Sequence, residues 1–167
     1  MTAYSPEHWT DLFVAAAGAS AALTGLVFVA VSINIERILR LAGVPERAME
    51  TILLLLGVVV VSIFALVPGQ SRTALGVELA GESVANLTAI ALLFRVSLRA
   101  SRKTDEERYY LVSHATMTLP GAVLLVVGAA SLLAHGGGGL YWTMAGVVFS
   151  LVGAVLNAWV LLVEILR

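Results

Sequence analysis

The chain has 167 residues, of which 59% are hydrophobic and only 13% are charged. Soluble domains carry about 25% charged residues, because polar groups must coat their surfaces. The composition therefore excludes a soluble, disordered or fibrous protein and predicts an integral membrane protein. Ten basic against eleven acidic residues give no positive excess for nucleic acid binding, and the lack of cysteine excludes disulfides and thiolate metal sites.

Five stretches are apolar and nearly or fully long enough to cross the hydrocarbon core as helices, which takes about 20 residues. In chain order they are 12–35, 51–67, 73–94, 115–134 and 140–163. The second is short, but Pro45 and Glu46 are typical of a first helical turn, so this helix is expected to begin earlier. Because no stretch alternates polar and apolar residues like a membrane strand, the predicted fold is all-α. We expect a single transmembrane domain, a bundle of five helices.

The positive charges predict how this bundle lies in the membrane. Nine of the ten basic residues fall in the loop after the first span, in the loop after the third span and at the C-terminus. Only Arg72 lies on the opposite side. Since cytoplasmic loops carry the excess of Lys and Arg, the N-terminus is predicted outside and the C-terminus inside.

The first span is rich in small residues at helical spacing. Ala17, Ala21 and Gly25 are four residues apart, and Ser20 and Thr24 add hydroxyl groups at the same spacing. Small residues repeated every four positions let two helix backbones approach closely. The first span is therefore expected at the centre of the bundle or at a contact between subunits.

The third span carries the most polar groups, with Glu78, Glu82 and Asn86 four residues apart on one helical stripe. At 1.5 Å of helix rise per residue, Glu82 lies about 13 Å from Thr73, the start of the predicted span, and so close to the middle of the bilayer. One interpretation is a stripe that handles protons or cations, because ionisable groups inside membranes are usually functional. The other is a neutral Glu82, hydrogen-bonded to a neighbouring helix, with Glu78 reaching the membrane surface.

The fifth span contains Thr143, Ser150 and Asn157 at seven-residue intervals. A polar residue every seven positions stays on one side of a helix that winds around a partner. Such a face either packs against another helix through hydroxyl and amide groups or lines a water-filled pore in an oligomer. Packing is the commoner arrangement.

Features of an enzyme or of a cofactor site are lacking in the sequence. The histidines His8, His114 and His135 form no pair with metal-ligand spacing, and no nucleophile or phosphate-binding motif occurs. We therefore expect no enzymatic activity, no cofactor and no bound metal.

The segment 22–34, with the sequence ALTGLVFVAVSIN, resembles the first helix of a group of small bacterial membrane proteins. Some of these carry the label of modulators of FtsH protease, and the five-span layout is shared. The resemblance implies a multi-pass protein of the bacterial cytoplasmic (inner) membrane, with another membrane protein, such as a protease, as a possible kind of partner.

Five spans make a thin bundle, so self-association in the lipid bilayer is expected. The leading hypothesis is a homo-oligomeric channel or ion-coupled carrier that uses the carboxylates of the third span. The alternative is a regulatory or scaffolding protein that binds another membrane protein through faces of small residues.

Overall fold

The computed structural model describes residues 2–41, 43–100 and 106–166, and within these ranges it contains helices and no strands. Two short 3-10 helices, Thr2–Tyr4 and Pro6–Trp9, precede the first α-helix. The α-helices are α1 Thr10–Ile33, α2 Ile35–Arg40, α3 Val44–Ala65, α4 Arg72–Ala100, α5 Glu106–Leu133 and α6 Leu140–Leu166. The loop predicted between residues 94 and 115 is mostly helical, since α4 continues to Ala100 and α5 begins at Glu106, and only residues 101–105 of it lie outside the described residues.

Every α-helix except the short α2 is long and apolar enough to cross a membrane. The predicted all-helical fold, with five helices long and apolar enough to span a membrane, is thus confirmed for the described residues. Helix α3 begins at Val44, with Pro45 in its first turn, because proline lacks the N–H group that a first turn leaves unbonded. Gly43 precedes it with a φ of 79°, a left-handed conformation that glycine adopts without steric cost.

Of the five long helices, α3, α4, α5 and α6 form a closed ring, and α1 packs on the outside of this ring. Helix α3 contacts α4 and α6, and α5 contacts the same two from the other side. Helix α1 packs mainly on α3, where the buried Ser20 donates a hydrogen bond of 2.7 Å from its hydroxyl to the Leu55 carbonyl. Of the two positions expected for the first span, the centre of the bundle is not the one observed, because α1 packs on the outer side of α3, and the contact between subunits stays a prediction.

Apolar side chains make up most of the core of the bundle, and many also lie on its outer surface. The largest buried cluster includes Phe13, Val58, Leu79, Leu132 and Val147. Large apolar side chains also cover the outside of the helices, among them Leu26, Ile33 and Trp159. A soluble bundle would place polar residues there, so this surface is suited to lipid.

The N-terminal segment packs against the loop between α5 and α6 and against the first turn of α6. The Gly138 N–H donates a hydrogen bond of 3.0 Å to the Tyr4 hydroxyl, and the Trp9 ring meets Tyr141 edge-on with centroids 4.8 Å apart. The N-terminus and the α5–α6 loop therefore share one end of the bundle, as a five-helix arrangement with alternating directions requires.

Candidate functional site: a polar stripe in a lateral groove

The residues Glu78, Glu82 and Asn86 form what we call the polar stripe, on the side of α4 that faces α3. The Asn86 side-chain amide donates to the Leu53 carbonyl of α3 and to Glu82 Oε1, both at 3.2 Å. The second bond follows from helix geometry, since residues four apart lie one above the other. Asn86 thereby links the Glu82 carboxyl to the backbone of the neighbouring helix.

A glycine on α3 makes room for this arrangement. A Cβ atom built on Gly57 would lie 2.8 Å from Glu82 Oε1 and closer still to the Asn86 amide nitrogen. Any side chain at position 57 would therefore displace the carboxyl and the amide from their places. The absence of a side chain at Gly57 lets both polar groups approach the backbone of α3.

The polar stripe lies in a groove of about 620 Å³ between α3 and α4, which we call the lateral groove. Its remaining walls are almost entirely apolar or small: Leu53, Leu56, Gly57, Val60, Phe64, Gly81, Ala85 and Ala89. Leu56, Gly81 and Ala85 are exposed, so the groove opens on the side of the bundle rather than at its ends. In a membrane this side would face lipid or a neighbouring protein.

Two oxygen atoms in the lateral groove are buried without a hydrogen-bond partner among the described residues. They are Glu82 Oε2 and Asn86 Oδ1. A buried acceptor without a partner is unfavourable by about 1–3 kcal/mol, so this site favours a proton, a cation or a donor group from outside the chain. Glu78 differs, because the Gln70 side-chain amide donates a hydrogen bond to its Oε2 atom.

The polar residues of α6 lie elsewhere, in the contact with α5. Thr143, Ser150 and Asn157 are each at most 2% exposed, and Asn157 donates a hydrogen bond of 3.4 Å to the Thr118 hydroxyl. Their seven-residue spacing holds them against α5, so in this chain they pack between α5 and α6. The structure does not bring them together with the carboxylates of α4.

The predicted small-residue face of α1 divides into two parts. Ser20 packs against α3, and the Thr24 hydroxyl donates to the Ser20 carbonyl within the helix at 2.8 Å. Gly25 lies on the opposite part, and a Cβ built there meets no atom of the described residues within 4 Å. Gly25 is thus not a packing position of the bundle itself.

Two charged residues are buried in the bundle that the sequence did not predict to be buried. Arg47 and Glu50 are each 3% exposed and lie in the first two turns of α3. The charge pattern assigns Arg47 to the loop after the first span, and the sequence gives Glu50 no role, because the apolar run begins only at Thr51. Their three-residue spacing, just after the helix-starting Pro45, is the signal that places both on one face of α3.

No metal centre is present in the part of the chain that the structure describes, since no three His, Asp or Glu side chains come close enough to hold an ion. The comparisons add no relative: no protein family, curated protein or solved structure matches this chain. The lateral groove and its polar stripe are therefore the basis for a functional proposal.

Proposed function

We propose that the protein is a membrane channel or ion-coupled carrier that works as a homo-oligomer, with Glu82 as the group that takes up and releases a proton or small cation. The observation that carries this proposal is the Glu82 carboxyl in the lateral groove, near the middle of the segment Arg72–Val96 that is apolar enough to span a membrane. One of its oxygens accepts from Asn86, and the other has no partner in the described residues. Glu78, nearer the start of α4 and lining the same groove, would serve the exchange with the aqueous side.

The position of the groove supports the oligomeric part of the proposal. An ionised carboxyl at the bilayer centre costs about 2.5–3.5 kcal/mol when lipid surrounds it. Because the groove opens sideways, a neighbouring copy that covers it would shield Glu82 from lipid and could enclose a hydrated path. We place this assembly in a bacterial cytoplasmic membrane, with the N-terminus outside.

The proposal is tested by ion flux through the purified protein in liposomes. Glu82→Gln keeps the shape and can still hydrogen-bond, so it should fold normally, yet flux should fall to the level of empty vesicles. Glu36→Gln removes an exposed carboxylate on α2 and serves as the matched control, with flux unchanged. A wild type that moves no protons, cations or anions, or a Glu82→Gln variant that conducts normally, would refute the proposal.

The orientation is tested with single cysteines, which the chain otherwise lacks. Thr2→Cys should react with a membrane-impermeant thiol reagent in intact cells, whereas Thr104→Cys should react only after the cells are opened. The reverse pattern would place the N-terminus in the cytosol. The charge distribution predicts the first result.

A second candidate is a regulatory protein that docks on another membrane protein, for instance a membrane protease. The observation that favours it is the apolar wall of the lateral groove, which suits a transmembrane helix better than water. A photo-reactive side chain at Ala85, inside the groove, should then cross-link a partner of different sequence, whereas one at the exposed Val77 should not. Cross-links only between copies of this chain would favour the oligomeric channel or carrier instead.

A further inference from the structure

Few oxygen atoms of the lateral groove are available to bind an ion. Glu82 offers its two carboxyl oxygens, of which Oε1 already accepts a hydrogen bond from the Asn86 amide. Asn86 adds one carbonyl oxygen, Oδ1, which is buried without a partner in the described residues, as is Glu82 Oε2. The Glu78 carboxyl lies one helical turn away, about 6 Å along α4, and Gln70 holds one of its oxygens. The side chains therefore provide three oxygens at the level of Glu82.

The backbone adds no ligands there, because the helices on both sides of the groove are unbroken. The groove residues between 53 and 64 lie within α3, and those between 78 and 89 lie within α4. In a continuous helix each carbonyl accepts a hydrogen bond from the N–H group four residues later. Sodium sites in membrane transporters instead use carbonyls that an unwound helix leaves free. No unwound segment borders the lateral groove in the part of the chain that the structure describes.

The rest of the groove gives a hydrated cation no support. Its α3 wall carries no hydroxyl, amide or charged side chain: Leu53, Leu56, Gly57, Val60 and Phe64. Besides Glu82, the only titratable side chain that lines the groove in the described residues is Glu78. Residues 115–133 of α5, which packs on α4, contain no titratable side chain. Water that would complete the shell of a metal cation therefore finds few groups to hold it.

A metal cation and a proton make different demands on such a site. Calcium takes about six to eight oxygen ligands and magnesium about six. Monovalent metal cations need oxygens that replace their hydration shell. A proton needs one oxygen, because it forms a covalent O–H bond and leaves a neutral carboxyl. Among apolar walls a neutral carboxyl is far less unfavourable than an ion. Three oxygens in an apolar groove therefore suit a proton.

We infer that the ion exchanged at Glu82 is a proton and not a metal cation, an inference that rests on the proposed function and specifies its substrate. On uptake, a hydronium ion gives its proton to Glu82 Oε2, which forms an O–H bond and leaves the carboxyl neutral. On release, this O–H bond breaks, its electron pair stays on the carboxylate, and the proton returns to water.

The test measures the protonation of Glu82 by infrared spectroscopy on the full chain, in nanodiscs of ether-linked lipids that carry no ester carbonyl. A neutral carboxyl has a C=O band that disappears when the group ionises. The Glu82 band should disappear reversibly as the pH rises. At constant ionic strength, replacing N-methylglucamine by sodium, potassium, magnesium or calcium ions should leave the midpoint of this titration unchanged. A competing cation at ten times its Kd would lower the midpoint by about one pH unit.

The outcomes separate this inference from the proposed function. A midpoint lowered by any of the metal ions would overturn the inference, while transport of a small cation would still stand. A Glu82 carboxyl whose protonation does not change with pH would also overturn it. The absence of all ion flux in liposomes would refute the proposed function, whereas reversible protonation of Glu82 is measured independently of flux.

Variants assign the infrared band. Glu82→Gln should remove it, and Glu36→Gln, which removes an exposed carboxylate of α2, should leave the band and its midpoint unchanged. If Glu82→Gln does not fold, Glu82→Asp assigns the band by displacing it. A metal-ion effect that is lost in Glu78→Gln would identify a cation held between two carboxylates of α4 and would likewise overturn the inference.

Discussion

The contact between α5 and α6 and the outer face of α1 are built from the same kind of sequence, yet the structure uses them differently. On α5, Gly121 and Gly128 are seven residues apart and lie directly against the backbone of α6. On α1, Gly18 and Gly25 have the same spacing, and a Cβ at either would meet no atom of the described residues within 4 Å. Small residues thus allow another helix to approach closely, but a close contact forms only where a second helix has a complementary surface.

The α5–α6 contact works because the two helices are complementary along their length. A Cβ on Gly128 would lie 2.5 Å from the Thr143 hydroxyl oxygen, and one on Gly146 of α6 would lie 2.8 Å from Leu125 Cγ. Each glycine therefore faces a larger side chain of the other helix. The described part of the chain offers no such complement to the outer face of α1, so a second copy or another protein would have to supply it.

The largest expected effect comes from Gly128→Ala. The new Cβ would lie 2.9 Å from the Thr143 backbone nitrogen, which cannot move without separating α5 from α6. We expect the free energy of unfolding to fall by about 1–3 kcal/mol, the usual cost of overpacking. Unfolding in mixed detergent micelles, followed by circular dichroism, measures it. Gly25→Ala is the control. Equal free energies of unfolding for the two variants would contradict the claim that Gly128 lies in a tight helix contact and Gly25 does not.

An intermediate effect is expected for Thr118→Val, which removes the acceptor for the buried Asn157 amide without changing the size of the side chain. Hydrogen bonds between membrane helices contribute about 0.6 kcal/mol on average and about 1.7 kcal/mol at most, so a loss in this range is expected. Thr88→Val is the matched control, because that hydroxyl is exposed and bonds only within its own helix. A loss no greater than that of the control would mean that shape alone holds α5 to α6.

The smallest effect on folding is expected for Gly25→Leu. Since the position is open in the bundle, the free energy of unfolding of the single chain should change by no more than about 0.5 kcal/mol. If the outer face of α1 contacts another subunit, the same variant should reduce the size of the assembly in gel filtration. A strongly destabilised single chain would show that α1 packs more centrally than the structure places it.

The sequence by itself determined the architecture. Long apolar runs must become helices in a membrane, because the hydrocarbon core offers no hydrogen bonds to an open backbone. Pro45 also marked a real helix start, because proline fits the first turn of a helix, and α3 begins at Val44. The four-residue spacing likewise sufficed to place Glu78, Glu82 and Asn86 on one side of α4.

Only the tertiary structure decided which helix faces find partners. The spacing of small residues predicts close packing at both Ser20 and Gly25 of α1. In the structure Ser20 is buried against α3, whereas Gly25 contacts no other helix of the described residues. The groove around Glu82 depends on Gly57, which lies 25 positions earlier in the chain and has no pattern in common with it. Arg47 and Glu50 are interior residues because α3 packs against three other helices, α1, α4 and α6. The hydropathy of a segment depends only on its own residues, whereas the burial of a side chain depends on which other helices pack against it.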